Sequence, residues 1–249
     1  MKKYEITDIA HPDNPALHRI RALVDIPMYW VKAGDLGGYI EKEDNLSQYG
    51  NCWVSGNGCV TGNGCVKDNG CVSGNGCVRD NGCVSGNGWV SHNHCLTGNG
   101  WVLDNGRVAG DAWVSGYGYV SGNGCVSGNG TVEGNGRVSD NGSVSGDGCV
   151  ADNGCVSGNG WVRDNGCVFG DAIINKPTDI LTIAPLGSRN ACLTILCNKT
   201  CTTDCFKGTI DEFLAAVKET HGDNKYAKQY QDTIDYAYKY FNWERGMSK

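Results

Sequence analysis

The sequence has little proline and no long apolar run. Only 5 of its 249 residues are proline, whereas 38 are glycine. The glycines do not follow the Gly-X-Y spacing of collagen, which also requires abundant proline. No apolar stretch approaches the ~18 residues that a membrane-spanning helix needs. These absences exclude collagen and a transmembrane helix, and the glycine content also excludes an ordinary helical or doubly wound domain.

No apolar segment follows the charged start of the chain, Met1–Asp8, so we expect no secretory signal peptide. The default compartment is then the reducing cytoplasm. The 15 cysteines are odd in number, which argues against a framework in which every cysteine is paired in a disulfide. We therefore predict a cytoplasmic protein whose cysteines are free thiols.

An aliphatic residue recurs at every sixth position through the middle of the chain. The series begins at Val54 and ends at Ile174, giving 21 consecutive six-residue units from Tyr49 with no insertion. The typical unit reads Ser-Gly-Asn-Gly-Cys-Val. A short period sustained over so many units predicts a solenoid, in which each unit packs on its neighbours.

Each unit has its own internal pattern. If the Val points inward, the residue before it points outward and the one before that points inward again. The outward position is Cys in ten units and Trp in five, and the second inward position is Gly in 17 of the 21. Gly-Asn or Asp-Asn pairs mark most corners, because these residues tolerate positive φ or bond their own backbone. Every third unit should return to the same side, which predicts about seven triangular coils of 18 residues.

The array resembles the hexapeptide-repeat left-handed β-helix, whose pattern is an aliphatic residue, a small residue four positions on and Gly, Asn or Asp corners. The lead-in segments Leu17–Leu23 and Val31–Glu41 are similar to those of bacterial and prophage proteins labelled transferase-like. Those proteins usually carry Ala where this chain carries Gly, as Ala112 and Ala172 still do. The resemblance implies an all-β solenoid with a left-handed coil, and a phage-derived member would also fit association with a virion.

A solenoid has two open ends that natural proteins cover. We predict a lead-in cap over residues 1–48, the repeat array over 49–174 and a small α+β cap over 175–249. Within the last region, residues 180–183 and 192–196 are predicted strands.

Two helices are predicted in the C-terminal region. The first begins at Thr209, where Thr209 and Glu212 make a capping box, and it stops at Gly222. The second carries an aromatic stripe from Tyr226 to Phe241 at helical spacing. A stripe of this kind is typical of a face packed in a core.

Acyl transfer is the activity that the resemblance implies. Such enzymes use a histidine as general base, held within hydrogen-bond reach of the acceptor, and loops interrupt their coils. This array has no interrupting loop and holds only two histidines, His92 and His94, in one irregular unit. We predict no catalytic residue. The alternative is an acyl-CoA-dependent acyltransferase that uses one of these histidines in a site completed by oligomer contacts.

Metal binding has two candidate sets, and we expect neither a metal nor another cofactor. His92 could meet cysteines of neighbouring coils, whereas His94 and the next residue point to opposite faces of a strand. Four cysteines in the tail are a second set, but they lack the paired Cys-x-x-Cys clips of structural zinc sites. A zinc site there remains an alternative, with ligands Cys192, Cys197, Cys201 and Cys205.

Charge argues against nucleic acid as a partner. The whole chain has a formal net charge of -6, and acidic residues outnumber basic ones in the array. No face carries the basic stripe that phosphate binding requires. We expect contact with neither nucleic acid nor a membrane.

Aromatic residues recur at the outward strand positions. Such residues are typical of contacts with a protein partner or a second copy of the chain. Strand propensity alone also places aromatics there. We predict a non-enzymatic structural or binding solenoid that acts through its outer faces or its C-terminal domain. The candidate contact residues are Trp53, Trp89 and Trp161 on one face, with Trp101, Trp113 and Tyr119 on the others.

Overall fold

The fold is known from a computed structural model that describes residues 1–93, 95–204 and 206–244. Its centre is a β-solenoid of about eight turns, in which parallel strands pair with strands 18 residues further along the chain. The predicted solenoid and its 18-residue coil are therefore confirmed. No helix in the described part of the chain is long and apolar enough to cross a membrane.

The lead-in forms an antiparallel pair, β1 (Tyr4–His11) and β2 (Asn14–Ala22), followed by β3 (Leu36–Ile40). Strand β3 pairs antiparallel with β2 on one side and in parallel with the repeat array on the other. Leu46 also bridges in parallel to Val66. The lead-in thus supplies a turn in addition to the seven predicted from the repeats.

The strands of the array form three faces, which carry the names face 1, face 2 and face 3 below. Face 1 contains β4 (Trp53–Val54), β7 (Cys71–Gly74), β10 (Trp89–His92), β13 (Arg107–Val108), β16 (Cys125–Val126), β19 (Ser143–Val144) and β22 (Trp161–Val162). Face 2 continues from β3 through β5 (Cys59–Val60), β8 (Cys77–Val78), β11 (Cys95–Leu96), β14 (Trp113–Val114), β17 (Thr131–Val132), β20 (Cys149–Val150) and β23 (Cys167–Val168). Face 3 contains β6 (Cys65–Val66), β9 (Cys83–Val84), β12 (Trp101–Val102), β15 (Tyr119–Val120), β18 (Arg137–Val138), β21 (Cys155–Val156) and β24 (Ile173–Ile174).

The core of the solenoid is a column of valines with glycine beside them. Every sixth residue from Val54 to Ile174 is buried, and these side chains form one continuous cluster. The turns stack so closely that a Cβ at Gly142 would lie 2.4 Å from the carbonyl oxygen of Val156. At such positions glycine permits the close stacking of backbone on backbone, and alanine would force the turns apart.

The corners are held together by polar side chains that repeat from turn to turn. Asp68 has a positive φ of 56°, and its carboxylate accepts a hydrogen bond from the backbone N–H of Gly86 at 3.2 Å. Next to these residues, asparagine amides form ladders, as where Asn51 Nδ2 donates to Asn69 Oδ1 at 2.8 Å. The ladders use side chains that the corner conformation places outside the core, so they stabilise the stack without burying a polar group.

A buried asparagine closes the first end of the stack. Asn45 lies in a 3-10 helix (Glu43–Asn45) and is fully buried. Its Oδ1 accepts hydrogen bonds from the backbone N–H groups of Glu41 and Lys42, and its Nδ2 donates to the carbonyl oxygens of Gly62 and Gly64. One side chain therefore satisfies four backbone groups where the lead-in meets the first repeats.

The C-terminal region forms a separate small α+β layer. Its antiparallel sheet has the order β25 (Ile180–Leu186), β26 (Ala191–Leu196), β27 (Thr200–Thr203) and β28 (Phe206–Thr209). Two helices follow, α1 (Ile210–His221) and α2 (Lys225–Tyr240). The Thr209–Glu212 capping box and the stop at Gly222 are confirmed. The two predicted strands lie within β25 and β26, whereas β27 and β28 were not predicted.

An ion pair joins the C-terminal region to the side of the solenoid. Lys207 on β28 contacts the carboxylate of Asp152, and its Nζ lies 4.7 Å from the centroid of the Phe169 ring. The hydrogen bond from Lys207 lowers the pKa of Asp152 below its usual value of 3.8.

Replacing Lys207 with methionine should lower the free energy of unfolding by less than about 1 kcal/mol at neutral pH, because the pair is exposed. A depressed carboxylate pKa stabilises the fold above the unfolded value and loses that effect as the pH falls through the folded value. Urea unfolding should therefore separate the two proteins at about pH 7 and not at about pH 2. Lys218→Met is the control. A difference that persists in acid would assign the loss to packing of the lysine chain on Phe169.

Candidate functional site

Face 3 carries a row of exposed and half-buried side chains in which aromatic and aliphatic residues lie on both sides of Arg137. Trp101 is 45% exposed, Ile173 is 52% exposed and Tyr117, at a corner beside the face, is 65% exposed. Trp101 pairs across the strands with Tyr119, which pairs with Arg137. Together they line a shallow groove of about 1000 Å³. Rigid backbone holds these side chains, because every strand beneath them is paired on both sides or closes the stack.

Asparagine ladders border this aromatic patch of face 3. Asn135 Nδ2 donates to Asn153 Oδ1, and Asn153 Nδ2 donates to Asp171 Oδ1, both at 2.9 Å. The same residues line the groove beside the aromatic rings. The patch therefore has an apolar centre and a polar rim, which is the arrangement found at protein interfaces.

Face 1 does not form the three-tryptophan surface that the sequence predicted. Trp53 is 1% exposed, because the lead-in folds over it and Gly37 packs on its ring. Trp89 and Trp161 are exposed but lie four turns apart, and the guanidinium of Arg163 lies 3.2 Å from the centroid of the Trp161 ring. The prediction for Trp53 was wrong, since an outward strand position is buried when another segment covers it.

Face 1 also carries an apolar groove, which was not predicted from the sequence. The loop after β2 places Met28 and Trp30 at the surface, and Trp30 is almost fully exposed at a positive φ of 59°. With Trp89 and Arg107 they line a groove of about 910 Å³. The sequence feature that could have indicated this groove is the run Ile-Pro-Met-Tyr-Trp at residues 26–30. It lies outside the repeats, so strand propensity does not explain its apolar residues.

Face 2 carries a column of three stacked cysteines. Cys59, Cys77 and Cys95 lie on successive paired strands, and the sulfur atoms of Cys59 and Cys77 are 2.9 Å apart. A groove of about 760 Å³ lies between this column and the β1–β2 hairpin, with Tyr39 in its wall. On the same face, the predicted contact residue Trp113 is exposed one turn beyond Cys95.

His92 lies at an exposed corner with a positive φ of 74°. Its Nδ1 is 3.0 Å from the hydroxyl oxygen of the preceding residue, Ser91. The grooves on the three faces do not include it. The second histidine candidate, His94, lies outside the described residues.

The three tail cysteines that the structure describes do not come together as the zinc alternative requires. Cys201 is buried in the core of the C-terminal region. Cys192 and Cys197 instead face the last turns of the solenoid, with their sulfur atoms near the carbonyl oxygens of Asn165 and Ile173. Cys205 lies outside the described residues. Within the part of the chain that the structure describes, no group of three His, Cys, Asp or Glu side chains is placed to hold a metal ion.

Sequence comparison does not assign the chain to a family. No protein-family model matches it, and no curated protein matches it in sequence.

Proposed function

We propose that the protein is a non-enzymatic β-solenoid that associates with a second copy of itself through the aromatic patch of face 3. The observation that carries the proposal is the row of Trp101, the half-buried Tyr119 and Ile173 on face 3, with the exposed Tyr117 at the corner beside it. Contiguous apolar patches with a polar rim mark interaction sites on monomers. Tryptophan, tyrosine and arginine are also the residues that contribute most to interface energies.

The order of side chains on face 3 suits a two-fold pair. Tyr119 and Arg137 are neighbours across the strands near the middle of the patch. A two-fold axis between β15 and β18 would place Arg137 of each copy against Tyr119 of the other. Each contact would be a cation–π interaction of about 1 kcal/mol or more once water is excluded. The patch is therefore complementary to itself without any change in the backbone.

The triple variant Trp101→Ser, Tyr119→Ser, Ile173→Ser should convert the dimer to a monomer in light scattering. Its urea unfolding midpoint, measured at a concentration where both proteins are monomeric, should stay close to that of the wild type, because the three side chains lie outside the core. The matched control is Trp89→Ser, Trp113→Ser, Trp161→Ser, which removes three exposed tryptophans from faces 1 and 2. A monomeric wild type, or equal loss of association in both triples, would contradict the proposal.

We also propose that the chain is related to the hexapeptide-repeat proteins, has their left-handed coil and works in the cytoplasm without binding nucleic acid or membranes. The support is its six-residue period, its odd number of cysteines and its acidic charge balance. Tight binding of an acyl-CoA that is lost in His92→Ala would instead favour the acyltransferase alternative.

A further inference from the structure

The cysteine column on face 2 contains an unusually close set of thiols. Cys77 lies between Cys59 and Cys95 on in-register parallel strands. The thiol of Cys59 donates a hydrogen bond to the sulfur of Cys77 at 2.9 Å. A disulfide has an S–S length of about 2.05 Å, so a side-chain movement of about 1 Å would bond the two atoms. The three residues therefore provide one central sulfur with a potential bonding partner on each side.

Arg79 forms a hydrogen bond with the sulfur of Cys77, the central cysteine of the column. Its Nε donates a hydrogen bond to Cys77 Sγ at 2.9 Å. Hydrogen bonds from Cys59 and Cys95, with the Arg79 guanidinium, lower the pKa of Cys77 despite its burial. Their bonds to Cys77 and partial burial raise the pKa of Cys59 and of Cys95. The thiol with the lowered pKa thus lies between two thiols with raised pKa values, which is the arrangement of a nucleophile with two resolving groups.

The groove beside the column restricts what can reach the sulfur of Cys77. Cys77 is 6% exposed, and the groove of about 760 Å³ opens between it and the β1–β2 hairpin. A space of this size fits a small molecule and not a folded protein. The other titratable or charged groups facing it are His11, Asp13, Tyr39 and Glu41 along the groove, with Asp80 beside Cys95.

We propose that Cys77, with Cys59 and Cys95 as resolving thiols, is a dithiol–disulfide exchange site whose substrate is a low-molecular-weight disulfide. The Cys77 thiolate attacks one sulfur of the substrate, forms a mixed disulfide and expels the other half as a thiolate. Cys59 or Cys95 then loses its proton to that thiolate and attacks Cys77 Sγ. This second step forms the intramolecular bridge and expels the remaining half of the substrate, which takes a proton from water. The net reaction converts one protein thiolate, one protein thiol, one disulfide and one proton from the solvent into one protein disulfide and two small thiols.

The parallel strands make such a bridge easy to reduce again. In-register strands hold the Cβ vectors of Cys59 and Cys77 side by side, and a disulfide between them is strained. Strained disulfides have more oxidising potentials than structural ones and are readily reduced. The site is therefore suited to repeated exchange. The Cys65–Cys83 pair on face 3 has a similar sulfur contact at 3.1 Å but lacks an arginine bonded to it.

The pH dependence of the reaction tests the proposal on the full chain. The probe is 2-hydroxyethyl disulfide, with the modified residues located by mass spectrometry after an acid quench. Cys125 is the internal control, because it has the same outward position on face 1 but its strand neighbours are Arg107 and Ser143. Burial raises the pKa of Cys125, so its rate should rise about tenfold per pH unit between about pH 6 and 8. The rate at Cys77 should stay nearly constant over that interval, since it is already a thiolate.

Two variants separate the roles within the column. The double variant Cys59→Ser, Cys95→Ser should accumulate the mixed disulfide on Cys77, because neither resolving thiol remains. Arg79→Gln should make the pH profile at Cys77 rise only in part, because the hydrogen bonds from Cys59 and Cys95 remain, and Arg79→Lys should flatten it again. The proposal is overturned if Cys77 and Cys125 show the same pH slope in the wild type. It is equally overturned if the double variant, shown to be folded by circular dichroism, carries no mixed disulfide on Cys77.

Discussion

Replacing Gly142 with alanine should lower the free energy of unfolding by about 2 kcal/mol or more, because overpacking forces neighbouring backbone to move. The new Cβ would lie 2.4 Å from the carbonyl oxygen of Val156 and 2.9 Å from that of Ser139. Neither oxygen can move freely, since each accepts a backbone hydrogen bond. The Val156 carbonyl accepts from Ser139 N–H, and the Ser139 carbonyl accepts from Gly142 N–H. The turn above must therefore shift. Urea unfolding followed by circular dichroism measures the loss.

Gly76 provides the matched control at the same position of another unit. A Cβ there would meet its nearest atoms at 3.1 Å or more, so only small adjustments are needed. Alanine also reduces the conformational entropy of the unfolded chain, which stabilises a protein by about 0.4 to 1 kcal/mol at a compatible site. The net change for Gly76→Ala should therefore be close to zero. Equal losses at Gly142 and Gly76 would show that the spacing between turns does not decide the effect.

Replacing Asn45 with alanine should cost about 3 kcal/mol, because each buried polar group left without a partner costs about 1 to 3 kcal/mol. The substitution removes all four hydrogen bonds that the Asn45 side chain makes at the first end of the stack. Water cannot easily replace them, since the side chain is fully buried. The same urea measurement applies, and the first turns should lose hydrogen-exchange protection before the later ones.

An asparagine from a corner ladder serves as control for Asn45. Asn81 also makes amide hydrogen bonds along the stack, but it is exposed. Asn81→Ala should cost less than about 1 kcal/mol, because water replaces the lost partners. Asn45→Asp should be nearly as harmful as alanine, since it places a carboxylate oxygen against the carbonyls of Gly62 and Gly64. A loss at Asn81 as large as that at Asn45 would contradict this account.

The repeat array could be predicted from the sequence because its signals are local and additive. One inward Val, one small inward residue and one corner in each unit fix the side on which each strand lies. The capping box of Thr209 and Glu212 is equally local, and it was predicted correctly, with Thr209 as the N-cap residue of α1.

The extra turn was missed because the lead-in is out of phase with the array. Gly38-Tyr39-Ile40 has the same small–outward–aliphatic order as Gly58-Cys59-Val60, but Tyr39 pairs with a residue 20 positions on. A search for residues repeated every 18 positions therefore does not find the turn formed by the lead-in. The order of residue types in Gly38-Tyr39-Ile40 indicates this turn, whereas the spacing does not.

The sites depended on contacts that periodicity does not encode. Trp53 has the outward position of its unit, and only the tertiary cover of the lead-in buries it. The 18-residue coil predicts only that residues 18 positions apart lie on the same face. The short contact between Cys59 and Cys77 and the bond from Arg79 depend instead on side-chain rotamers. These contacts are properties of the folded structure, and the repeat pattern does not determine them.

Because one turn contains 18 residues, the face on which a side chain lies depends on how many residues precede it in the array. Loss of one whole turn would shorten the rod by about 4.8 Å and leave every later side chain on its own face. Loss of a single six-residue unit would instead rotate everything after it by a third of a revolution. Trp161 would then leave face 1, and the aromatic patch of face 3 would be divided between two sides. The array can therefore gain or lose length without moving side chains to another face only in steps of three units. Its 21 uninterrupted units make seven such steps.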